Sequence, residues 1–217
     1  MLVSRIDADR GSAFVVEHHY SHGIHNGPMC WGLFDEDRPA DVGGFWPEPP
    51  LVGVIAFATP ASEAVRASVW GPEHVNRVTE LHRLVVLDEY GRNTESRFIA
   101  ETLRQLRRER PDLWGVLSFA DPTEGHVGVI YQATNALYTG RSARATFYRD
   151  RDGRLRHPRQ NGVNISAKVA AARGWSVVKR EGKHRYLFIL GSARRRRELR
   201  SRLRLPVLPY PKRQVVL

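Results

Sequence analysis

The sequence predicts an α/β (α+β) fold in which a mixed central sheet is flanked by helices. Apolar, often β-branched segments predict strands at about 29–34, 51–58, 78–87 and 113–120. Between the last two strands, apolar residues recur at helical spacing from Thr94 to Arg108, and Pro111 ends that pattern. Because strand and helix alternate here, we expect the strands to form one sheet with helices packed on it.

Shorter elements are predicted before and after this central region. Ser12 is positioned to cap a helix that continues to Tyr20. A short helix over 129–138 is expected to end at Gly140. The last third of the chain is expected to add a hairpin, a helix and two strands, at 150–153, 166–173, 175–180 and 184–190.

Positive charge is concentrated in the last third of the chain. The 217 residues carry a formal net charge of +11. Residues 141–217 contain 22 Lys and Arg against 4 Asp and Glu, whereas residues 1–140 contain 12 against 19. We therefore expect one compact domain with a catalytic core, 1–140, followed by 141–217, which supplies the remaining strands and a basic extension.

Double-stranded DNA is the expected partner of this basic extension, a merely solvated basic surface being the alternative. Most of the extension's charges are arginines, which form bidentate contacts with phosphate. Contacts with the DNA backbone are predicted for Arg194, Arg195, Arg196, Arg197, Arg200 and Lys212.

Composition argues against several other classes of protein. No apolar run is long enough to cross a bilayer, and the N-terminal residues do not form a secretory signal, so we expect a cytoplasmic protein. The single cysteine, Cys30, excludes an intramolecular disulfide and a cysteine-rich zinc site. Because Cys30 lies in an apolar predicted strand, it is expected to be an inert core residue rather than a nucleophile.

The segment from Glu80 to Arg108 resembles the central strand–helix unit of the Gcn5-related acetyltransferase superfamily. In that superfamily the start of the helix receives a pyrophosphate, which free amides and the helix dipole favour. The resemblance implies the same fold and an acyl-CoA or related small-molecule group donor, whose identity the sequence does not give. It implies donor contacts at Leu84, Val86, Arg92, Asn93 and Ser96. The turn from Gly91 to Ser96 departs from the superfamily's glycine-spaced signature, and a helix simply capped by Asn93 is the alternative.

A more specific resemblance spans most of the chain. Its central motifs are Ser118-Phe119-Ala120-Asp121, Gly125-His126-Val127-Gly128, Ile130-Tyr131-Gln132-Ala133-Thr134-Asn135 and Tyr138-Thr139-Gly140. Further motifs are His19-Tyr20-Ser21-His22, Glu80-Leu81-His82-Arg83-Leu84 and Leu208-Pro209-Tyr210-Pro211-Lys212. In order and spacing these motifs resemble the bacteriophage Mom DNA-modification family. The resemblance implies a transferase that converts adenine in double-stranded DNA to an N6-carbamoylmethyl derivative, which protects phage DNA from host restriction.

Candidate catalytic residues lie within these motifs. Asp121 follows a predicted strand, where open sheets expose ligand-binding groups, and its carboxylate can accept a hydrogen bond from the adenine amine or act as a general base. The alternative is an aspartate that caps the turn before Pro122. Tyr138 matches the tyrosine with which acetyltransferases commonly protonate the leaving group, a buried structural tyrosine being the alternative. Further catalytic candidates are Ser118, His19 and Tyr20.

Amides and aromatic rings are the candidate contacts for adenine. Gln132 and Asn135 are three residues apart on a predicted helix, so they are expected to share a face and to read the base edge, although ordinary surface amides would look the same. Because the base must leave the duplex stack to be modified, we also expect an aromatic ring that stacks on it. The candidates for this ring are Tyr131, Trp31 and Tyr20.

A metal site is considered only near the N-terminus, at His18, His19 and His22. His18 and His22 are four residues apart and would face one way if the helix continued. The sequence places no carboxylate partner beside them, so no metal is assigned. A role for His19 and Tyr20 in substrate contact or acid–base chemistry is favoured instead.

Two other functions fit the same sequence. The first is an acetyl-CoA-dependent acetyltransferase that acts on a small amine or a protein, and the second is a non-catalytic DNA-binding protein of the same fold. Tight binding of coenzyme A without DNA binding would favour the first. DNA binding without turnover would favour the second.

Overall fold

The computed structural model describes residues 1–19, 23–24, 28–39, 48–60, 62–160 and 163–212. Its strands are β1 (Leu2–Ile6), β2 (Met29–Phe34), β3 (Leu51–Ala58), β4 (Val78–Val86), β5 (Gly115–Ala120), β6 (Leu137–Arg141), β7 (Ala145–Arg149), β8 (Leu155–Arg156), β9 (Arg159–Gln160), β10 (Val163–Asn164), β11 (Ser176–Arg180) and β12 (His184–Ile189). Its helices are α1 (Ala8–His18), α2 (Glu63–Trp70), α3 (Thr94–Glu109), α4 (Val129–Ala133), α5 (Ala167–Ala172) and α6 (Ala193–Ser201), with 3-10 turns at Pro72–Arg77 and Pro122–Glu124. Within the described ranges, no helix has both the length and the apolar character that a membrane crossing requires.

Seven strands form the central sheet, in the order β1-β2-β3-β4-β5-β12-β6. Neighbouring strands are antiparallel except β4 and β5, which are parallel. β12 lies between β5 and the edge strand β6, so the last third of the chain contributes an interior strand to the sheet. This mixed sheet with helices on both faces confirms the predicted fold class. The division of the chain at residue 140 into a catalytic core and an extension stays a prediction.

Two apolar clusters join the helices to the faces of the sheet. On the first face, α3 and α4 cover a cluster that includes Trp31, Phe98 and Tyr186. On the second face, α2 and α6 pack through Trp70 and Leu199. Trp70 Nε1 donates a hydrogen bond to the Leu199 carbonyl at 2.9 Å, which fixes α2 against α6. Full burial of a large apolar side chain stabilises the fold by about 1.5–3 kcal/mol, so these clusters determine where the helices sit.

Helix α1 packs against β2 through a glycine. A Cβ atom at Gly11 would lie 2.5 Å from Cys30 Sγ, so only glycine allows this close approach. Cys30 is fully buried, and burial raises the pKa of its thiol to about 11, which fits the predicted inert core residue. The prediction that Ser12 caps this helix is wrong. The helix begins at Ala8, after Asp7, whose side chain accepts no capping hydrogen bond from the described residues.

A smaller layer is inserted between β6 and β12. Strands β11, β7 and β8 form a three-stranded sheet, and α5 packs on it through Ala170. The predicted hairpin is confirmed, because the Asp150 carboxylate accepts hydrogen bonds from the amides of Asp152 and Arg154 in the β7–β8 turn. The predicted helix at 166–173 is confirmed as well, with the Ser166 hydroxyl as its cap.

One predicted helix is wrong in a way that matters for the site. Helix α4 ends at Ala133, and Asn135 adopts a left-handed conformation with φ 58°. The chain turns there and continues as β6, so residues 137 and 138 lie on a strand rather than on a helix. A turn of only three residues, 134–136, leaves little periodicity in the sequence to reveal it.

Candidate active site

β4 and β5 diverge at one end of the central sheet. They pair over Val78–Leu81 and Gly115–Ser118. In the described chain β4 then continues to Val86 with no register partner on β5, which leaves an opening between the two strands. Pairing of β4 with β3 also skips His82, which is a β-bulge that bends β4 at the mouth of the opening.

Two of the predicted donor contacts lie on the diverging part of β4. Leu84 and Val86 are partly buried and pack against the first-face cluster. Their strand is paired with β3 on the other side, so the β4 edge that faces the opening carries backbone groups available to a ligand. This position agrees with a role in donor binding, which stays a prediction.

The other predicted donor contacts lie in the turn before α3 and in the first turn of that helix. Arg92 and Asn93 are exposed, and the Ser96 hydroxyl donates to the Asn93 carbonyl at 2.9 Å. Asn93 is left-handed, with φ 71°, and its side chain forms no capping bond with the described residues, so simple capping by the Asn93 side chain is wrong. The positive charge of Arg92 and the positive end of the helix dipole both favour an anionic donor. Glu95 is the one acidic residue in the first turn of α3, and its negative charge opposes this attraction.

A tyrosine–histidine pair lies at the same end of the sheet. Tyr138 Oη is 3.0 Å from His184 Nδ1, and the two side chains are only 8% and 4% exposed. Burial, helped by the positive charge of Arg141, lowers the pKa of His184 below its ordinary value of 6.5. The imidazole is therefore neutral at pH 7 and can exchange a proton with Tyr138.

Sequence reasoning located only half of this pair. Tyr138 is on β6 and not at the end of a helix as predicted, because the chain turns at Asn135. His184 was not predicted at all, since it lies 46 residues further along the chain. The sequence signal for His184 is the alternation of residues along β12. His184, Tyr186 and Phe188 face the same side of that strand, so the histidine points into the first face.

Asp121 follows the end of β5 and lies near this pair. Its carboxylate accepts a hydrogen bond from the Thr123 amide at 3.0 Å and lies 3.5 Å from Lys183 Nζ. Burial raises the pKa of Asp121, but the hydrogen bonds from Thr123 and the nearby Lys183 outweigh burial and lower the pKa overall. The carboxylate caps the turn, as the alternative stated, and Lys183 directly precedes His184. Asp121 and Tyr138 therefore lie at the same end of the sheet.

Ser118 is in the same row of the sheet as Tyr138. Ser118 is opposite Tyr186 on β12, which in turn is opposite Tyr138 on β6. Two strand spacings of about 4.8 Å put Ser118 roughly 10 Å from Tyr138. The Ser118 hydroxyl is fully buried and has no hydrogen-bond partner among the residues that the structure describes. Its catalytic role stays a prediction.

The predicted pair of adenine-reading amides is not on one helix face. Gln132 is in α4, whereas Asn135 is exposed in the turn beyond it, so the expected shared face is wrong. Gln132 Nε2 lies within 3.1 Å of both the Val127 carbonyl and the Tyr186 hydroxyl. Its donor group is thus already used to hold α4 against β12.

The predicted stacking aromatics are mainly core residues. Trp31 is fully buried and donates from Nε1 to Gln105 at 3.0 Å, so stacking of a base on Trp31 is wrong. Tyr131 is 8% exposed and packs on Tyr186 with ring centroids 5.4 Å apart. Tyr20 lies outside the described residues.

The segment after α6 packs against Tyr138 and Tyr186 at the edge of the sheet. The Leu208 amide donates to the Tyr138 carbonyl at 2.9 Å, and the Tyr210 hydroxyl donates to the Ala136 carbonyl at 2.9 Å. Tyr210 also approaches Tyr186 with ring centroids 6.5 Å apart. The motif at 208–212 therefore contributes to the candidate site despite its distance in sequence.

Comparison with known families accounts for this arrangement of motifs. The model of the Mom protein family matches residues 1–212. This chain belongs to the Mom family. The match covers the tyrosine–histidine pair, the diverging strands and the segment at 208–212 together.

A curated relative and two solved structures are similar to this chain. Methylcarbamoylase mom of Escherichia phage Mu is 37% identical over 142 residues, which cover 61% of this chain and 56% of the phage protein. The match thus spans little more than half of the length of that relative. Arabidopsis thaliana NAA60 in complex with acetyl-CoA is similar with a TM-score of 0.50 and 13% identity, covering 88% of this chain and 99% of that one. A Bacillus subtilis acetyltransferase in complex with CoA has a TM-score of 0.47 and 10% identity, with 87% and 98% covered. NAA60 confirms the predicted acetyltransferase-like fold.

The N-terminal histidines of this Mom-family chain are only partly described. His18 ends α1, packs on Phe14 and lies 3.8 Å from Glu17, and His19 is 9% exposed. His22 lies outside the described residues. Among the residues that are described, no group of three or more histidine, cysteine, aspartate or glutamate side chains is arranged to hold a metal ion.

The arginine run forms helix α6, whose residues point in different directions. Arg195 packs over the Trp114 ring at 4.8 Å and donates to Glu198 at 2.6 Å, so it is engaged within the protein. Arg194 and Lys212 are exposed. The other three predicted DNA contacts, Arg196, Arg197 and Arg200, line a groove between α6 and α3.

Proposed function

We propose that this protein is a transferase that adds a carbamoylmethyl-type group to the N6 amine of adenine in double-stranded DNA. The match of the Mom family over residues 1–212 carries the proposal. The name of the phage Mu relative, a methylcarbamoylase, supports the class of group transferred. Such a modification would protect phage DNA from restriction, and the host cytoplasm is the expected place of action.

The tyrosine–histidine pair is the proposed proton acceptor. As the N6 nitrogen forms its bond to the transferred carbon, the bond from that carbon to the rest of the donor breaks, the leaving group departs with the electron pair, and N6 must lose one proton. Tyr138 Oη can take that proton while its own proton passes to His184 Nδ1, 3.0 Å away. Burial keeps His184 neutral before the reaction, so its nitrogen is free to accept. Acid–base assistance of this kind contributes about 10²–10⁴-fold to the rate. Tyr138 is the proposed catalytic residue, and His184 acts through it.

Asp121 is proposed to act by its charge rather than as a strong base. Its lowered pKa keeps the carboxylate ionised at pH 7 and weakens its affinity for a proton. The ionised carboxylate would accept a hydrogen bond from the adenine N6 amine and so help to hold the base. Lys183 Nζ, 3.5 Å from this carboxylate, partly neutralises its charge.

The group donor is proposed to be an acyl-CoA or a related anionic molecule. The opening between β4 and β5 would receive the reactive end of the donor, with Leu84 and Val86 beside it. Arg92 and the first turn of α3 would hold the anionic part. When bound, the donor supplies the activated carbon group, and the residues named here orient it.

Mass spectrometry of nucleosides tests the proposal. The chain is expressed in bacterial cells, and their DNA is digested to nucleosides. We expect a deoxyadenosine of increased mass that is absent with an empty vector. Tyr138→Phe should lower its yield by about 10²-fold or more. Tyr148→Phe is the matched control, since Tyr148 is a buried tyrosine in the smaller sheet, and it should leave the yield unchanged.

Two outcomes would contradict the proposal. Unaltered deoxyadenosine in cells that contain folded protein would exclude adenine modification. Acetylation of small amines by the purified protein, without any change to DNA, would assign it to the acetyltransferases instead.

A further inference from the structure

One large cavity of the described chain is not at the tyrosine–histidine pair. It is a groove of about 680 Å³ between α3 and α6. Its two walls carry five arginines, two from α3 and three from α6. We call this feature the arginine groove, formed by Arg104, Arg107, Arg196, Arg197 and Arg200. The α3 arginines belong to the acidic first part of the chain, so charge counting along the sequence did not associate them with the basic extension.

The floor of the groove is the uncovered end of β12. β6 pairs with β12 only as far as Leu137 and Leu187, so the last part of β12 has β5 on one side and the groove on the other. Phe188, Ile189 and Leu190 line the floor there. The groove is therefore apolar at its base and positively charged along both walls.

Among the residues that the structure describes, most of these arginines have no carboxylate partner. Arg104 pairs with Glu101. For the other four, no ion pair with the described residues is found, and Arg107 and Arg196 donate only to the Gly191 carbonyl, at 3.2 and 3.3 Å. Elsewhere in the last third, Glu181 pairs with Arg141 and Arg144, Asp150 pairs with Arg156, and Glu198 pairs with Arg195 and Arg202.

Such a concentration of unneutralised positive charge destabilises the fold, because the guanidinium groups repel one another. The energy penalty falls when an anion enters between the walls, because each guanidinium forms charge-assisted hydrogen bonds with phosphate oxygens. α6 also begins at Ala193 on the groove, which adds the positive end of a nine-residue helix to the same space.

We propose that the arginine groove binds the phosphodiester backbone of duplex DNA beside the base that is modified. The inference rests on the proposed function in taking DNA as the substrate. Asn135 and Leu137 line the groove, and Tyr138 is the next residue on β6. A backbone held in the groove thus runs next to the candidate active site. In this arrangement Arg104 and Arg107 also contact the DNA backbone, whereas Arg195, which packs on Trp114, does not.

The salt dependence of DNA binding tests the groove. The double variant Arg196→Ala/Arg200→Ala removes two charges from the α6 wall. The matched control, Arg144→Ala/Arg154→Ala, removes two exposed charges outside the groove. Dissociation constants are measured by fluorescence anisotropy with a labelled duplex over a range of salt concentrations. Each lost phosphate contact lowers the slope of log Kd against log salt by about 0.9, so we expect a loss of about 1.8 for the groove variant. The control should keep the wild-type slope.

A second variant keeps the test independent of α6 folding. Arg104→Ala/Arg107→Ala changes the opposite wall and should lower the slope as well. Equal slopes for both groove variants and the wild type overturn the proposal, as does an equal loss in the control. Tighter binding of polyglutamate than of duplex, abolished by the groove variants, would also overturn it, since the partner would then be an acidic protein.

Nucleoside analysis separates this inference from the proposed function. If the wild type modifies deoxyadenosine while the groove variants bind DNA with an unchanged slope, the groove assignment fails and the function stands. If the groove variants lose slope but no modified deoxyadenosine is found with the wild type, groove binding is supported and the modification function fails.

Discussion

Replacing His184 should flatten the pH dependence of folding stability below neutrality. Burial holds the pKa of His184 below its ordinary value of 6.5 in the folded protein, whereas the unfolded chain keeps the ordinary value. When the pH falls below 6.5, the unfolded chain therefore takes up a proton at this residue and the folded chain does not. The stability that neutral His184 contributes is complete above pH 6.5 and is lost as the pH falls from there toward the lower folded pKa.

The size of the effect follows from proton linkage. One proton taken up by the unfolded state alone lowers the free energy of unfolding by at most about 1.4 kcal/mol per pH unit. Protonated His184 is only 4% exposed and lies near the charge of Arg141, so desolvation and repulsion both oppose protonation. The hydrogen bond to Tyr138 survives, because an imidazolium nitrogen can donate to the phenol oxygen.

Urea unfolding followed by circular dichroism, from about pH 7.5 to about pH 5, measures this slope. The stability of the wild type minus that of His184→Gln should shrink steadily as the pH falls below about 6.5. His126→Gln is the control, because His126 is an exposed histidine. A constant difference over the whole range would refute the reasoning, and so would an equal slope change in the control.

Three further predictions concern the packing of α1 and of the segment after α6. Gly11→Ala should lower the free energy of unfolding by up to about 2 kcal/mol, because the clash with Cys30 outweighs the helix propensity gained, and Cys30→Ala in the same chain should reduce that loss. Denaturant titration measures both, and a stabilised Gly11→Ala protein would show that the contact is absent. The Cys30 thiol, buried and with its pKa raised to about 11, should react with a thiol reagent only on unfolding, and fast labelling of the native protein would contradict this. Tyr210→Phe removes the hydrogen bond to the Ala136 carbonyl and should lower the stability of this segment by about 1 kcal/mol. The loss should be seen as faster amide exchange at 208–212. Unchanged exchange would show that the bond does not hold this segment.

The elements that the sequence predicted are those whose pattern is local. β2 and β3 are nearly continuous apolar segments, and α3 has an apolar stripe that ends before Pro111. α6 has no such stripe, since Leu199 is its one buried residue, and its packing depends on a distant contact with Trp70. Its helical structure therefore comes from tertiary packing and the Ser192 cap, which a search for periodicity does not detect.

The candidate site was predictable only in part, for a similar reason. Asp121 and Tyr138 were identified from motifs, and they lie at one end of the sheet. His184 joins them only because β12 inserts between β5 and β6, which no local pattern predicts. The arginine groove has the same origin, since Arg104 and Arg196 meet across that strand.

The insertion of β12 between β5 and β6 has a consequence for synthesis on the ribosome. The first five strands of the sheet in chain order can assemble early, but β5 keeps a bare edge until residues 184–189 emerge. Unfinished chains with such an edge are prone to aggregate, so folding factors that shield nascent chains should improve the yield. The residues of the proposed proton transfer and of the proposed phosphate binding also come together late in translation, and a chain stopped before β12 would lack both arrangements.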